Sequence, residues 1–141
     1  MLDKFITAQE STYPKAQHEL EAGRKTSHWM WYIFPQLAGL GSSETSKYYS
    51  LANLKEAELY LRHPVLGARL VSMANILLKL PGRHAHEIFG SPDDMKLKSC
   101  MTLFSLVPGS DPSFSKVLEK YFDGQKDHKT LKILEDLNSG Q

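Results

Sequence analysis

Chemistry concentrates in one stretch of this 141-residue chain: Gly23-Arg24-Lys25-Thr26-Ser27-His28-Trp29-Met30-Trp31-Tyr32-Ile33-Phe34-Pro35-Gln36. Two cations, Arg24 and Lys25, stand immediately before Ser27, a good helix N-cap. The first N–H groups of a helix lack partners inside it, and the helix dipole favours negative charge there. A helix over His28 to Phe34 would make an anion site, with Arg24, Lys25 and Ser27 around it. Both tryptophans of the chain, Trp29 and Trp31, follow at once and offer flat rings for stacking. His28 adds an imidazole, the side chain whose ordinary titration lies nearest neutrality. Gln36 adds an amide just past Pro35. The set suits a phosphorylated ligand with a planar base. It equally suits a plainer account, in which the aromatics fill a core and the two cations are solvated.

The second stretch is Ser91-Pro92-Asp93-Asp94-Met95-Lys96-Leu97-Lys98-Ser99-Cys100-Met101-Thr102. On a helix, Asp93, Lys96, Ser99 and Thr102 lie three apart and form a polar row beside an apolar stripe. Such a row could line a site, or simply face water. If the two stretches met, Arg24, Lys25, Ser27, Lys96, Ser99, Thr102 and Gln36 would bind the ligand and Trp29 and Trp31 would flank its ring. His28 and Asp93 would be the catalytic acid–base pair. A nucleotide, a nicotinamide cofactor fragment or ADP-ribose fits that outline, with hydrolysis or group transfer as the reaction class. No particular cofactor is specified.

Other features carry less. His84 and His86, with Glu87, are spaced two apart, which turns helical imidazoles away from each other, so no metal is expected. Cys100 falls near the apolar side of a helix and reads as a small buried hydrophobe. Gly39-Leu40-Gly41 has neither the lysine nor the preceding strand of a phosphate loop. Lys126, Lys129 and Lys132 read as a solvated face.

The elements that must position these residues are helices. Leu2 to Ala22 has helical apolar spacing, with Pro14 predicted to kink or split it near Thr12. Glu44 to Leu51 is a weak helix. Asn53 caps Leu54 to Arg62, and Pro64 at the first helical position opens a helix running to about Leu80. Gly67 inside it marks a close helix contact or a weakness. His84 to Phe89 is a short turn of helix closed by Gly90. Ser91-Pro92 starts the next, which runs to Leu106 with Leu97, Met101 and Phe104 inward. Asp111-Pro112 and Asp127 open the last two, with Leu131, Leu134 and Leu137 inward in the final one. Tyr32-Ile33-Phe34 is the one run that reads alternatively as a buried strand, and nothing pairs with it. The fold class predicted is an all-α, compact multi-helical single domain over residues 1–141, of about seven to nine short helices.

Composition agrees. Seventeen basic residues nearly cancel sixteen acidic ones, which gives no support to nucleic-acid binding through many phosphate contacts. One cysteine cannot form an internal disulfide. The first ten residues lack the apolar core of a secretory signal, and no apolar run approaches a membrane span. A cytoplasmic protein without a membrane partner is expected.

The tryptophan segment continues through Leu37 into Gly39-Leu40-Gly41, and in this form the chain resembles the uncharacterised bacterial family catalogued as domain of unknown function eighteen-ten. Phe5 to Gln9 with Tyr13, Tyr60 to Leu70, and Ile88 to Leu97 with Ser99, Met101, Thr102, Leu103 and Phe104 agree. The resemblance spans about Leu2 to Tyr121. It implies a small all-α fold and no activity. Thr26 stands where a second basic residue is common in the family, and Cys100 where serine is. Two roles remain open: binding of a small anionic, nucleotide-like ligand, or a protein-interaction module using Trp29 and Trp31, residue types that often anchor interfaces.

Overall fold

The computed structural model describes residues 2–139. Nine helices follow one another among the described residues: α1 (Asp3–Glu21), α2 (Met30–Ile33), α3 (Glu44–Tyr48), α4 (Leu54–Arg62), α5 (Leu66–Lys79), α6 (Ala85–Phe89), α7 (Asp93–Ser105), α8 (Ser113–Phe122) and α9 (His128–Ser139). None is long and apolar enough to cross a membrane. The only extended pairing among the described residues is an isolated parallel bridge between Leu37 and Leu51. It fixes the loop after α2, with Leu51 donating to the Gln36 carbonyl and Ala38 to the Leu51 carbonyl.

Two helices form the centre. α7 packs on α4, α6, α8 and α9, while α5 packs on α1, α4 and α8. Leu97, Met101 and Phe104 of α7 are buried, as their spacing predicts, and so are Leu66, Leu70, Met73 and Leu77 of α5. Rings link the layers: Phe5 meets Tyr60 edge-on at 5.1 Å, Tyr60 meets Phe104 at 5.6 Å, and Phe104 meets Phe114 at 5.8 Å. Aromatic pairs at such separations add to plain area burial. Cys100 is buried among them. Burial raises its thiol pKa well above the usual value, which leaves it protonated and inert.

Several helix ends follow their local chemistry. Asn53 accepts from the Glu56 N–H, Asp111 from Ser113, and Asp127 from Thr130. The C-terminus of α5 is closed from far along the chain: the Lys120 ammonium takes the carbonyls of Leu77 and Leu78 at 3.0 Å and that of Leu80. A cation at the negative end of a helix is favourable.

The structure corrects four expectations. Pro14 does not split α1, which continues through it to Glu21. Glu10, whose carbonyl loses its donor, is exposed, as is Pro14, so the missing bond is not sealed from solvent. α5 starts at Leu66, with His63 rather than Pro64 managing the entry: its Nδ1 accepts from Val65 and Leu66. Ser91 does not cap α7, whose entry residue is Pro92. Tyr32-Ile33-Phe34 follows its helical reading and not the strand alternative, because α2 runs through Ile33. Leu137 in α9 is 41% exposed, and the buried residue of that helix is Thr130.

Candidate functional site

The site begins with a carboxylate that the sequence did not single out. Glu19 sits in the last turn of α1 between Ala16 and Leu20, both fully buried, and is itself 8% exposed. A charge placed there needs partners, and the loop after α1 supplies them. Glu19 Oε1 accepts from the N–H of Thr26 at 2.8 Å, the N–H of Ser27 at 3.1 Å and the Trp29 indole at 2.9 Å. Oε2 accepts from the Ser27 hydroxyl. Burial pushes the Glu19 pKa up, but these bonds outweigh it and hold the carboxyl at about 2, below its ordinary 4.5.

This corrects the anion site expected at Ser27. No helix starts there: α2 begins at Met30, is four residues long and has no side-chain cap. The N–H groups of the segment do bind an anion, but that anion is Glu19 of the same chain. Ser27 is consumed by it. Trp29, 1% exposed, is a core residue with its N–H taken, and Arg24 is exposed and stands outside the pocket described next.

Wound around Glu19, the loop delivers Lys25 to α7. Its N–H donates to the Ile88 carbonyl at the end of α6, and Gly90, with a φ of 70° that suits glycine, turns the chain directly into α7. The two stretches of candidate residues therefore meet. Lys25 Nζ lies 2.7 Å from Asp93 Oδ2, and Lys96 Nζ lies 3.0 Å from Asp93 Oδ1. Each ammonium also faces an indole, Lys25 over Trp29 at 5.0 Å and Lys96 over Trp31 at 4.3 Å. Lys25 is nearly buried, its side chain 7% exposed.

A pocket of about 290 Å³ opens on this cluster, with His28, Trp31, Tyr32, Ser43 and Thr45 around Lys25, Asp93 and Lys96. Its charge balance is two ammonium groups against one carboxylate. Burial pushes the Asp93 pKa up, but the hydrogen bonds and charges of Lys25 and Lys96 prevail and hold it below the usual carboxylate value. A carboxylate so held orients two cations. Both of its oxygens face ammonium groups, an arrangement that positions Lys25 and Lys96. His28 is exposed on the rim.

The remaining candidates lie elsewhere. Thr102 is fully buried, and its Oγ1 accepts from the Asp127 N–H at 2.8 Å, fixing the approach to α9. It is a structural residue. Ser99 donates to the Met95 carbonyl, and with Gln36 it borders a separate cavity.

Gly41 closes the loop side. A Cβ there would lie 2.6 Å from Ser46 Cβ and 2.8 Å from Trp31 Cη2. Ser46 is tied to Ser43 by two hydrogen bonds, so the overlap with Ser46 is relieved only by a shift of the loop backbone, and the overlap with Trp31 by a shift of its ring. Gly41→Ala is expected to cost about 1–2 kcal/mol and to move the Trp31 indole N–H resonance, with the Trp29 resonance unmoved, in a proton–nitrogen correlation spectrum. An unshifted Trp31 signal would show that the ring is not seated on Gly41.

Comparison with known proteins adds a family and a fold. The family described as "Protein of unknown function (DUF1810)" matches residues 1–134. Among solved structures, the chain is similar to the conserved hypothetical protein Rv1873 from Mycobacterium tuberculosis, at 44% identity, with a TM-score of 0.93 over 95% of this chain and 96% of that one. Among the curated proteins, none matches.

Proposed function

This chain belongs to the DUF1810 family, whose description assigns no role, and from its own site we propose that the Lys25–Asp93–Lys96 pocket binds a small anionic, nucleotide-like ligand. One observation carries the reading: two lysines, held apart by a single carboxylate and each set against an indole, line one concave site. Asp93 offsets only one of the two charges, so the pocket favours a phosphate or carboxylate. The half-buried ring of Trp31, with Tyr32 beside it, offers a surface to a planar group. His28 on the rim is the group there suited to exchanging a proton with a bound molecule.

A broader groove of about 980 Å³ runs between α1, α5 and the turn after α7. Its one ion-paired lining residue, Arg62, is held at 3.6 Å by Glu58 on the exposed side of α4, and among the described residues no cation of the groove is set against a ring, so it offers less specific chemistry. The interaction-module alternative keeps only Trp31 of its two tryptophans as a surface group, because Trp29 is 1% exposed.

The test is a thermal-shift panel of nucleotides, nicotinamide cofactors, ADP-ribose and sugar phosphates. A ligand at about a hundred times its Kd adds about 2.7 kcal/mol, on the order of 8 °C in Tm for a domain of this size. A shift of that order is expected for at least one phosphorylated compound. It should be lost in Lys25→Met and Lys96→Met and kept in Arg24→Ala. A flat panel on well-folded protein, or a shift indifferent to both lysines, would overturn the reading.

A further inference from the structure

Gln36 has no part in the pocket just described, yet it is the most anomalous polar side chain near it. The residue is 3% exposed, and its Nε2 has no hydrogen-bond partner in the protein. Folded proteins leave few buried amides in that condition, and each one calls for an explanation. The backbone here is firmly placed, since the Gln36 carbonyl accepts from Leu51 beside the Leu37–Leu51 bridge. The anomaly is therefore confined to the side chain. Gln36 borders two spaces: a narrow one of about 110 Å³ beside Gly39, Gly41 and Ser46, and a cavity of about 540 Å³ that it lines together with Trp31, Lys96, Lys98, Ser99 and Lys129.

Trp31 and Lys96 line this larger cavity and the Lys25 pocket alike. The larger cavity and that pocket share one indole and one ammonium as a common wall. We propose that this larger cavity is a subsite for the far end of the same molecule, anchored by the Gln36 amide. The proposal rests on the nucleotide-like reading of the first pocket. The shared Lys96 then meets an anionic link between two halves. The planar half lies on the Lys25 side, and a polar half bearing hydroxyl or carbonyl acceptors lies against Gln36. Lys96, Lys98 and Lys129 outnumber the one carboxylate of this lining, Asp127, whose Oδ2 accepts from the Thr130 N–H and hydroxyl, so the balance favours negative charge in that link. The class of compound that satisfies both spaces is a nucleoside diphosphate carrying a second polar substituent, rather than a nucleoside monophosphate.

The experiment compares AMP with ADP-ribose by calorimetry and by proton–nitrogen correlation spectra of the full chain, wild type and Gln36→Leu. ADP-ribose is expected to bind on the order of tenfold more tightly than AMP, the value of about one well-made hydrogen bond. It should shift the Gln36 side-chain NH2 signals, which AMP leaves in place. Gln36→Leu should reduce ADP-ribose to the affinity of AMP, leave AMP binding unchanged and keep or raise Tm. Equal affinities, or ADP-ribose binding indifferent to Gln36→Leu, would overturn the subsite and leave the first pocket standing. A marked fall in Tm for Gln36→Leu would also overturn it, by assigning the amide to the fold. If neither nucleotide perturbs Lys25 or Trp31, the first reading fails. Inorganic pyrophosphate, which needs no ring, then decides the subsite alone: shifts at Gln36 and Lys129 keep it, and their absence overturns it.

Discussion

Replacing Glu19 with alanine is expected to cost the protein about 4 kcal/mol. The mutation removes the acceptor of four donors at once: the N–H groups of Thr26 and Ser27, the Ser27 hydroxyl and the Trp29 indole. Each buried donor left without a partner costs about 1–3 kcal/mol. Their costs do not add, because water reaches the half-buried Ser27. The indole of Trp29 is 1% exposed and cannot be rescued that way. Urea denaturation followed by tryptophan fluorescence measures the loss. A change below about 1 kcal/mol would show that the loop holds its shape without the carboxylate. Lys25 is delivered to Asp93 by this loop, so the same variant should also lose any ligand response of the pocket.

The charge of Glu19 can be separated from its geometry by pH. A group whose folded pKa is depressed stabilises the fold above its ordinary pKa and loses that contribution as pH falls through the folded value. For Glu19 the window runs from 4.5 down to about 2. The contribution at stake is at most about 3 kcal/mol, less what solvent screening removes on the Ser27 side. Asp93, also held below its usual value, adds a loss of the same sign. Glu19→Gln retains one carbonyl oxygen for the three N–H donors. Its stability should fall by about 2 kcal/mol at neutral pH and should vary less than wild type between pH 5 and 2.

What could be read from the chain depended on how far apart the partners lie. Asn53, Asp111 and Asp127 cap helices through residues two or three positions on, and their roles are evident from local sequence. The apolar stripes of α5 and α7 are equally plain, because burial follows period. Ser27 has the same chemistry as those caps, yet its hydroxyl is taken by Glu19, eight residues back across a turn. Thr102 belongs to a visible polar row, but its partner is the Asp127 N–H, 25 residues away. The meeting of Lys25 with Asp93 spans 68 positions and depends on how α6 and α7 dock, which no local pattern encodes. Glu19 did leave a signal: a carboxylate between Ala16 and Leu20 on the inward face of α1 has to be satisfied by something.

Gly67→Ala should also be strongly destabilising, against the usual direction for a helix. Alanine is favoured over glycine inside a helix by about 1 kcal/mol, so propensity alone predicts a gain. The packing forbids it. A Cβ on Gly67 would lie 1.9 Å from the Leu61 carbonyl oxygen and 2.8 Å from its carbon. Both are backbone atoms of α4, and no rotamer change relieves the overlap. α5 must move away from α4, on which it packs, disturbing two helices whose inward faces carry the buried Ala57 and Tyr60 and the buried Leu66 and Leu70. Overpacking against side chains costs about 1–3 kcal/mol, and against rigid backbone the net loss should be at least about 3 kcal/mol after the propensity gain. The neighbouring residue supplies the control. Ala68 is exposed on the same helix, so Ala68→Gly should cost only the propensity difference of about 1 kcal/mol. Equilibrium denaturation of the two variants therefore separates the terms, since opposite substitutions one position apart should both destabilise, and by unequal amounts. A neutral or stabilised Gly67→Ala protein would mean that the helices are not in contact at this glycine. The residues around Lys25 and Asp93 lie on other elements, so ligand response should survive in whatever fraction of Gly67→Ala remains folded, in contrast to Glu19→Ala.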